Sequence, residues 1–170
     1  MRYVEFESIF SSSRTGRYLH ACNGDTRLTQ TNILDAARSL GSSFTHNKLV
    51  AELGFGFWRY MFSNNQFKAG GQTLLRIFPN KPISTSVNQY NANFVFVELA
   101  KINDLRNRIA HHEPVCFRPN FHIIDTLYAR NHYLLIKNLF KWMLIDEDAL
   151  LYGLDHINSV CNEIDELGHK

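Results

Sequence analysis

Polar residues are concentrated between Asn103 and Pro114, in the sequence NDLRNRIAHHEP. At about 100° per residue, Asn103, Asn107 and His111 fall at successive i, i+4 positions and share one stripe of a helix. Arg106 lies on the flank of this stripe and diverges from His111 by about 140° in a regular helix. Arg106 and His111 therefore reach one phosphate only if the last turn loosens, which Pro114 favours, or if a second chain supplies half of the site.

The chemistry that these side chains support is metal-independent cleavage of RNA. Histidine titrates near neutral pH and can take the proton of a ribose 2′-hydroxyl or give one to the leaving oxygen. The permanently charged guanidinium of an arginine binds the phosphate and the charge that develops on it, and an asparagine between them orients the histidine or the substrate. The products would be a 2′,3′-cyclic phosphate and a 5′-hydroxyl, so DNA, which lacks the attacking hydroxyl, is excluded as a substrate.

A structural role for the same segment stays open at this point. Cations are favoured at helix C-termini, so Arg108, His111 and His112 could simply complement the helix dipole. Asp104 and Arg108 have the i, i+4 spacing of an ordinary surface ion pair. Spacing alone does not decide between this interpretation and catalysis.

The elements that must carry this segment are predicted to be helices, because apolar residues recur at helical rather than alternating spacing. We expect an all-α bundle of about five helices, without a convincing pair of strands. The longest helix is predicted over 87–111 and includes the polar segment. The other four are predicted over 27–40, ended by Gly41, and over 45–62, 121–143 and 147–167. Asn64, Asn65, Lys68, Gly70 and Gly71 are predicted to form an exposed loop.

Composition fits one soluble domain over residues 1–170, since 45% of the residues are hydrophobic and 20% are charged. The sequence has no apolar stretch of about 18 residues that could span a membrane and no signal-peptide pattern at Met1, so a cytoplasmic protein is expected. The three cysteines, Cys22, Cys116 and Cys161, are far apart, and neither a disulfide framework nor a zinc knuckle is expected.

Charge is unevenly distributed along the chain. Residues 1–145 contain 17 Lys and Arg against 9 Asp and Glu, whereas residues 146–170 contain 1 against 7. The basic part is compatible with a polyanionic ligand such as RNA. Asn103, Arg108 and Arg118 are candidate RNA-binding residues around the motif, with solvated surface charge as the alternative.

No metal site and no cofactor are expected. His111 and His112 are adjacent in sequence and point in different directions on a helix, and no H-x-x-x-H spacing is present. The aromatic residues Phe55, Phe57, Trp58, Tyr60 and Phe62 are expected to pack in the core or in a dimer interface rather than to stack on RNA bases.

Two segments carry a resemblance to a known family. Residues 105–114, LRNRIAHHEP, resemble the signature of the Abi-like (abortive-infection) proteins of bacteria, a branch of the HEPN superfamily. Residues 49–58, LVAELGFGFW, with Tyr60, Met61 and Phe62, resemble the Phe-Gly-Phe-Trp helix of the same family, and the spacing from Arg14 to Tyr18 resembles its N-terminal region. Together these matches cover most of residues 10–145.

The resemblance implies an all-α HEPN bundle that forms a homodimer with a composite active site in a shared cleft. Its motif arginine falls on Arg106, the following polar residue on Asn107 and the motif histidine on His111, with His112 as a second candidate. Family members are endoribonucleases in antiviral (phage) defence and in toxin-antitoxin systems, so RNA and an antitoxin are the implied partners. Some HEPN proteins only bind nucleotides or other proteins, and a non-catalytic binding module is therefore the alternative.

Overall fold

The computed structural model describes residues 25–118 and 121–168. Within these ranges the protein is all-α, with eight α-helices and no strand, which confirms the predicted fold class. In chain order the helices are α1 (Asp25–Leu40), α2 (His46–Glu52), α3 (Phe55–Tyr60), α4 (Asn64–Ala69), α5 (Ala92–Ala110), α6 (Leu127–Trp142), α7 (Glu147–Leu150) and α8 (Ile157–Gly168). None of the helices in these ranges combines the length and the apolar character that crossing a membrane requires.

The described residues form two compact units. The first contains residues 25–77 together with Asn91–Phe96, and the second contains Phe78–Tyr90 together with residues 97–168. The polar segment of α5 and everything after it belong to the second unit. Arg14, Tyr18 and Cys22 lie outside the described residues.

The core of the first unit is formed by helices α1, α2 and α3. Its buried residues are Ala36, Leu49, Leu53, Phe57 and Met61, with Trp58 packed against them. The expected core role of the aromatic segment is thus confirmed for Phe57, whose ring meets that of Trp58 edge to face at 5.1 Å.

The helix predicted over 45–62 is in fact two helices. Leu53 and Gly54 both adopt extended backbone conformations, which ends α2 and makes Gly54 the N-cap of α3. The indole nitrogen of Trp58 donates a hydrogen bond to the carbonyl oxygen of Leu53 at 3.0 Å, so an acceptor left free by the break is satisfied. Periodicity continues across the break and therefore concealed it.

The prediction of a loop around Asn64 and Asn65 is wrong, because these residues begin α4. Ser63 is extended before the helix, and Gln66 is buried. The helix ends where predicted breakers occur, at Gly70 and at Gly71, whose φ is 75°. Asparagine favours helix starts as well as turns, and its type alone could not distinguish the two.

The longest helix, α5, begins at Ala92 instead of residue 87. The side-chain oxygen of Asn91 accepts a hydrogen bond from the backbone N–H of Phe94 at 3.0 Å, as an N-cap residue does. Val87, expected on the apolar stripe of this helix, precedes it and is 85% exposed.

The two last predicted helices are also shorter than expected. Residues 121–126 are not helical. The backbone N–H of Asp125 donates to the carbonyl of Cys116 at 2.9 Å and that of Arg118 donates to Ile123 at 2.9 Å, so residues 123–125 pair with residues 116–118 before α6 begins. The C-terminal prediction is interrupted between α7 and α8, where Gly153 has a φ of 72°.

Candidate active site

The predicted polar stripe lies on α5 and on the residue that follows it, His111. Asn103 and Asn107 belong to α5, and the backbone N–H of His111 donates to the carbonyl oxygen of Asn107 at 2.9 Å. This i→i−4 bond shows that the last turn does not loosen before His111. Arg106 and His111 of one chain therefore keep the divergence of about 140° that a regular helix imposes.

The side chains of the predicted catalytic set are available to solvent. Arg106, Asn107 and His111 are exposed, whereas Asn103, one turn earlier, is half-buried. Within the ranges 25–118 and 121–168, the side chains of Arg106, Asn107 and His111 make no hydrogen bond or ion pair. Three polar groups of the motif are thus free to meet a ligand.

The chain leaves the helix through a capping turn, by which we mean residues 111–114. The backbone N–H of His112 donates to Ile109 at 3.1 Å and that of Glu113 donates to Arg108 at 2.8 Å. These two bonds form a Schellman motif. His112 occupies its left-handed position with a φ of 55°, where glycine is usual and where a residue with a Cβ costs about 1–2 kcal/mol.

The two adjacent histidines therefore differ in backbone role. His111 continues the helical stripe of Asn107, whereas His112 is the residue at which the chain reverses. Pro114 follows directly after the turn, as is common beyond such a cap. The sequence correctly predicted the end of the helix near the histidines, but the loosening expected there occurs after His111 and not before it.

Arg108 is committed to contacts within the chain. Its guanidinium donates to the carbonyl oxygen of Pro114, and its Nε lies 3.3 Å from a carboxylate oxygen of Glu113. The same guanidinium lies over the ring of Tyr128, 4.7 Å from the ring centre. The ion pair of Arg108 is thus made with Glu113, and not with Asp104 as the spacing had suggested. Only 24% of the Arg108 side chain is exposed.

Tyr128, in the first turn of α6, is itself held in place. Its backbone carbonyl oxygen lies 2.7 Å from Nδ1 of His132, and the two rings are 4.2 Å apart. His132 is buried. No pattern in the sequence indicated that Tyr128 and Glu113 would contact Arg108, because neither residue has a helical spacing to it.

Arg118, the other predicted RNA-binding arginine, is on a different element. It lies in the paired segment after the capping turn, where its Nε is 3.7 Å from a carboxylate oxygen of Asp125. Its side chain is 56% exposed. The structure thus keeps Arg106, Asn107, Arg108, His111 and His112 at one helix end and does not add Arg118 to that helix.

In the described part of the chain, no three His, Cys, Asp or Glu side chains are grouped so that they could hold a metal ion. Comparisons of the chain with protein-family models, with curated proteins and with solved structures gave no match. The resemblance to the Abi-like proteins stays a prediction that rests on the residues quoted for it.

Proposed function

We propose that the protein is a metal-independent endoribonuclease of the HEPN type, in which Arg106 binds the scissile phosphate and His111 transfers a proton. The observation that carries this proposal is the contrast between two arginines at the end of α5. Arg108 is held by Glu113, Pro114 and Tyr128, whereas Arg106 is exposed and has no side-chain partner in the described ranges. An unpaired guanidinium and an exposed histidine are the two groups that this chemistry needs.

The reaction balances without a metal or a cofactor. A base takes the proton of the 2′-hydroxyl, the 2′-oxygen bonds to phosphorus, and the bond from phosphorus to the 5′-oxygen breaks as an acid protonates that oxygen. His111 supplies one of these proton transfers, and His112 or a second copy of the chain supplies the other. Arg106 stabilises the charge on the phosphate during the transfer, and Asn107 orients the substrate or the histidine.

We further propose that the working form is a homodimer with a composite active site. Because the helical hydrogen bonds of α5 (Ala92–Ala110) continue to the backbone N–H of His111, Arg106 and His111 of one chain are expected to diverge by about 140°. A two-fold axis near the helix end would bring Arg106 of one protomer toward His111 of its partner. Ile109, between them in sequence, is 57% exposed, and such an apolar residue on the exposed turn suits a contact between copies.

In a bacterial cell such an activity would serve phage defence or act as a toxin, with cytoplasmic RNA as its substrate and an antitoxin as its restraint. The alternative, a non-catalytic HEPN module that binds a nucleotide or a protein through the same exposed turn, makes a different prediction. It retains binding of RNA or nucleotide but produces no cleavage.

The test is incubation of total bacterial RNA with the purified full chain in EDTA, with wild type beside Arg106→Ala and His111→Ala. Matched controls are Arg38→Ala, which removes an exposed arginine paired with Asp35, and His46→Ala, which removes an exposed histidine. We expect cleavage by wild type and both controls, products ending in cyclic phosphate, and loss of cleavage in the two motif variants. Intact RNA with all folded variants would favour the binding module.

A further inference from the structure

We propose that Arg108 is a positioning residue that fixes the capping turn and thereby the direction of His111 and His112, and that it does not contact RNA. The catalytic consequence rests on the proposed ribonuclease function. The structural half, that Arg108 holds residues 111–114, stands on the contacts alone and can be tested without RNA.

Arg108 holds Glu113 at two points. Its carbonyl oxygen accepts the backbone N–H of Glu113 at 2.8 Å, and its guanidinium pairs with the Glu113 carboxylate at 3.3 Å. The guanidinium also donates to the carbonyl oxygen of Pro114, the next residue. The main chain that leaves the helix is therefore attached to Arg108 through both backbone and side chain.

The same guanidinium lies over the ring of Tyr128, which belongs to α6. A planar guanidinium can stack on a ring while donating in several directions, which the ammonium group of lysine does not do. The contact thus ties the capping turn to a helix distant in sequence. Lysine at this position would keep the charge and lose this geometry.

The turn needs such support because His112 has a φ of 55°. A residue with a Cβ occupies the left-handed region only when its surroundings determine the conformation. Without Arg108 we expect the turn to relax toward ordinary backbone angles, which would redirect His112 and break the hydrogen bonds that the His112 and Glu113 amides donate at the end of α5. A glycine at position 112 would remove the need for this support.

Arg106 and Arg108 should differ in how much each contributes to the salt dependence of RNA binding. Arg108 is three-quarters covered and is already paired with Glu113, whereas the Arg106 guanidinium is unpaired within the described ranges. An arginine that neutralises a phosphate of single-stranded RNA contributes about 0.7 to the slope of log Kd against log salt concentration. We assign that contribution to Arg106 and none to Arg108.

The first experiment is amide hydrogen exchange of His112 and Glu113 in the full chain without RNA. In Arg108→Ala we expect both amides to exchange about tenfold faster or more, while the core amide of Val95 stays protected. Arg108→Lys should show the same direction, and Arg108→Ala combined with His112→Gly should restore protection. Arg106→Ala is the matched control and should leave both amides unchanged. Equal exchange in the Arg108 and Arg106 variants would overturn the proposal.

The second experiment measures binding and turnover separately. With a 2′-O-methylated RNA that cannot be cleaved, Arg106→Ala should lower the salt slope by about 0.7, and Arg108→Lys should leave it unchanged. With cleavable RNA, Arg108→Lys should lower kcat about tenfold at an unchanged KM, which is the loss expected when a reacting group is misplaced. A raised KM with a reduced salt slope in Arg108→Lys would show that Arg108 contacts RNA.

The ribonuclease function and the positioning role of Arg108 can be refuted separately by these two experiments. If the wild-type chain cleaves no RNA, the proposed function fails, and the exchange measurement still decides whether Arg108 fixes the turn. If the chain cleaves RNA and the exchange rates are unaffected by Arg108, the positioning role fails and the ribonuclease proposal stands.

Discussion

The Nε atom of Arg108 and a carboxylate oxygen of Glu113 lie 3.3 Å apart across the end of α5, and the backbone of the same two residues closes the Schellman motif. The sequence motif thus contains two arginines with opposite tasks, two residues apart. One is used to build the helix end, and the other is left exposed beside it.

Replacing Glu113 by glutamine should weaken the helix end without unfolding the protein. The variant loses an ion pair whose carboxylate is 54% exposed, so solvent screening limits the loss to about 0.5–1 kcal/mol. Urea unfolding of wild type and Glu113→Gln would measure it. Glu52→Gln, at an exposed carboxylate that accepts a hydrogen bond from Ser39, is the comparison variant and should change the free energy of unfolding less.

His112→Gly should stabilise the protein by about 0.5–1 kcal/mol, because glycine relieves the strain of the left-handed conformation. The greater backbone entropy that glycine gives the unfolded chain offsets this gain only in part. Leu144 offers a matched site after α6. It has a φ of 57°, is 69% exposed, and lies in a turn closed by the same pattern of two backbone hydrogen bonds as the turn at His112. Leu144→Gly should give a similar gain and leave RNA cleavage unchanged. A loss of stability in both variants would contradict the assigned strain.

Cys116 should be alkylated slowly near neutral pH. Burial raises the pKa of its thiol, and Cys161 and Asp165 raise it further. Since the thiolate is the nucleophile, a raised pKa lowers the reactive fraction, so reaction with iodoacetamide should be slower than in the urea-unfolded chain. Mass spectrometry at the Cys116 peptide would measure both rates. Equal rates after correction for accessibility would contradict this.

The same shift sets the direction of a pH effect on stability. Because the pKa of the thiol is higher in the folded protein, the unfolded chain loses the thiol proton first. The contribution of this thiol to the free energy of unfolding is therefore fully present below about pH 8.5, the ordinary thiol value, and is lost as the pH rises through the folded pKa. Cys116→Ser removes this dependence and is the control. We expect the wild-type and Cys116→Ser unfolding free energies to diverge only on the alkaline side.

A composite active site predicts complementation between inactive variants. In a mixed dimer, an Arg106→Ala chain supplies His111 and a His111→Ala chain supplies Arg106, so one of the two sites is intact. After unfolding and refolding together, the mixture should recover about a quarter of wild-type cleavage, since about half of the dimers are mixed. Separately refolded variants mixed without exchange are the control. No recovery in verified mixed dimers would contradict a shared site.

The sequence predicted the fold class and the general position of most helices, because apolar spacing reports which face of a helix is buried. Its five predicted helices correspond to seven of the eight in the described ranges, and α4 was missed. The breaks at Gly54 and Gly153 and the late start at Asn91 were not predicted. Each of these three boundaries depends on a local cap or backbone angle, whereas the apolar spacing of the sequence continues across the boundary.

The candidate site was predicted to the level of its residues and not of their partners. The stripe of Asn103, Asn107 and His111 follows from helical geometry alone, and the structure keeps it. The contacts of the Arg108 side chain could not be predicted, because Tyr128 belongs to another helix and Glu113 follows a left-handed turn. Long-range contacts and unusual backbone angles leave no periodic trace in a sequence.

Catalysis by Arg106 and His111, as proposed, requires attack by a ribose 2′-hydroxyl. The most direct measurement uses oligonucleotides in EDTA: an RNA, the same sequence as DNA, and the DNA with one ribonucleotide at a position that the protein cuts in the RNA. We predict a single cut after the ribonucleotide, a cyclic phosphate on its product, an intact DNA, and no cleavage by His111→Ala. Cleavage of the all-DNA strand, or undiminished cleavage by His111→Ala, would show that the protein does not use the 2′-hydroxyl or does not use His111.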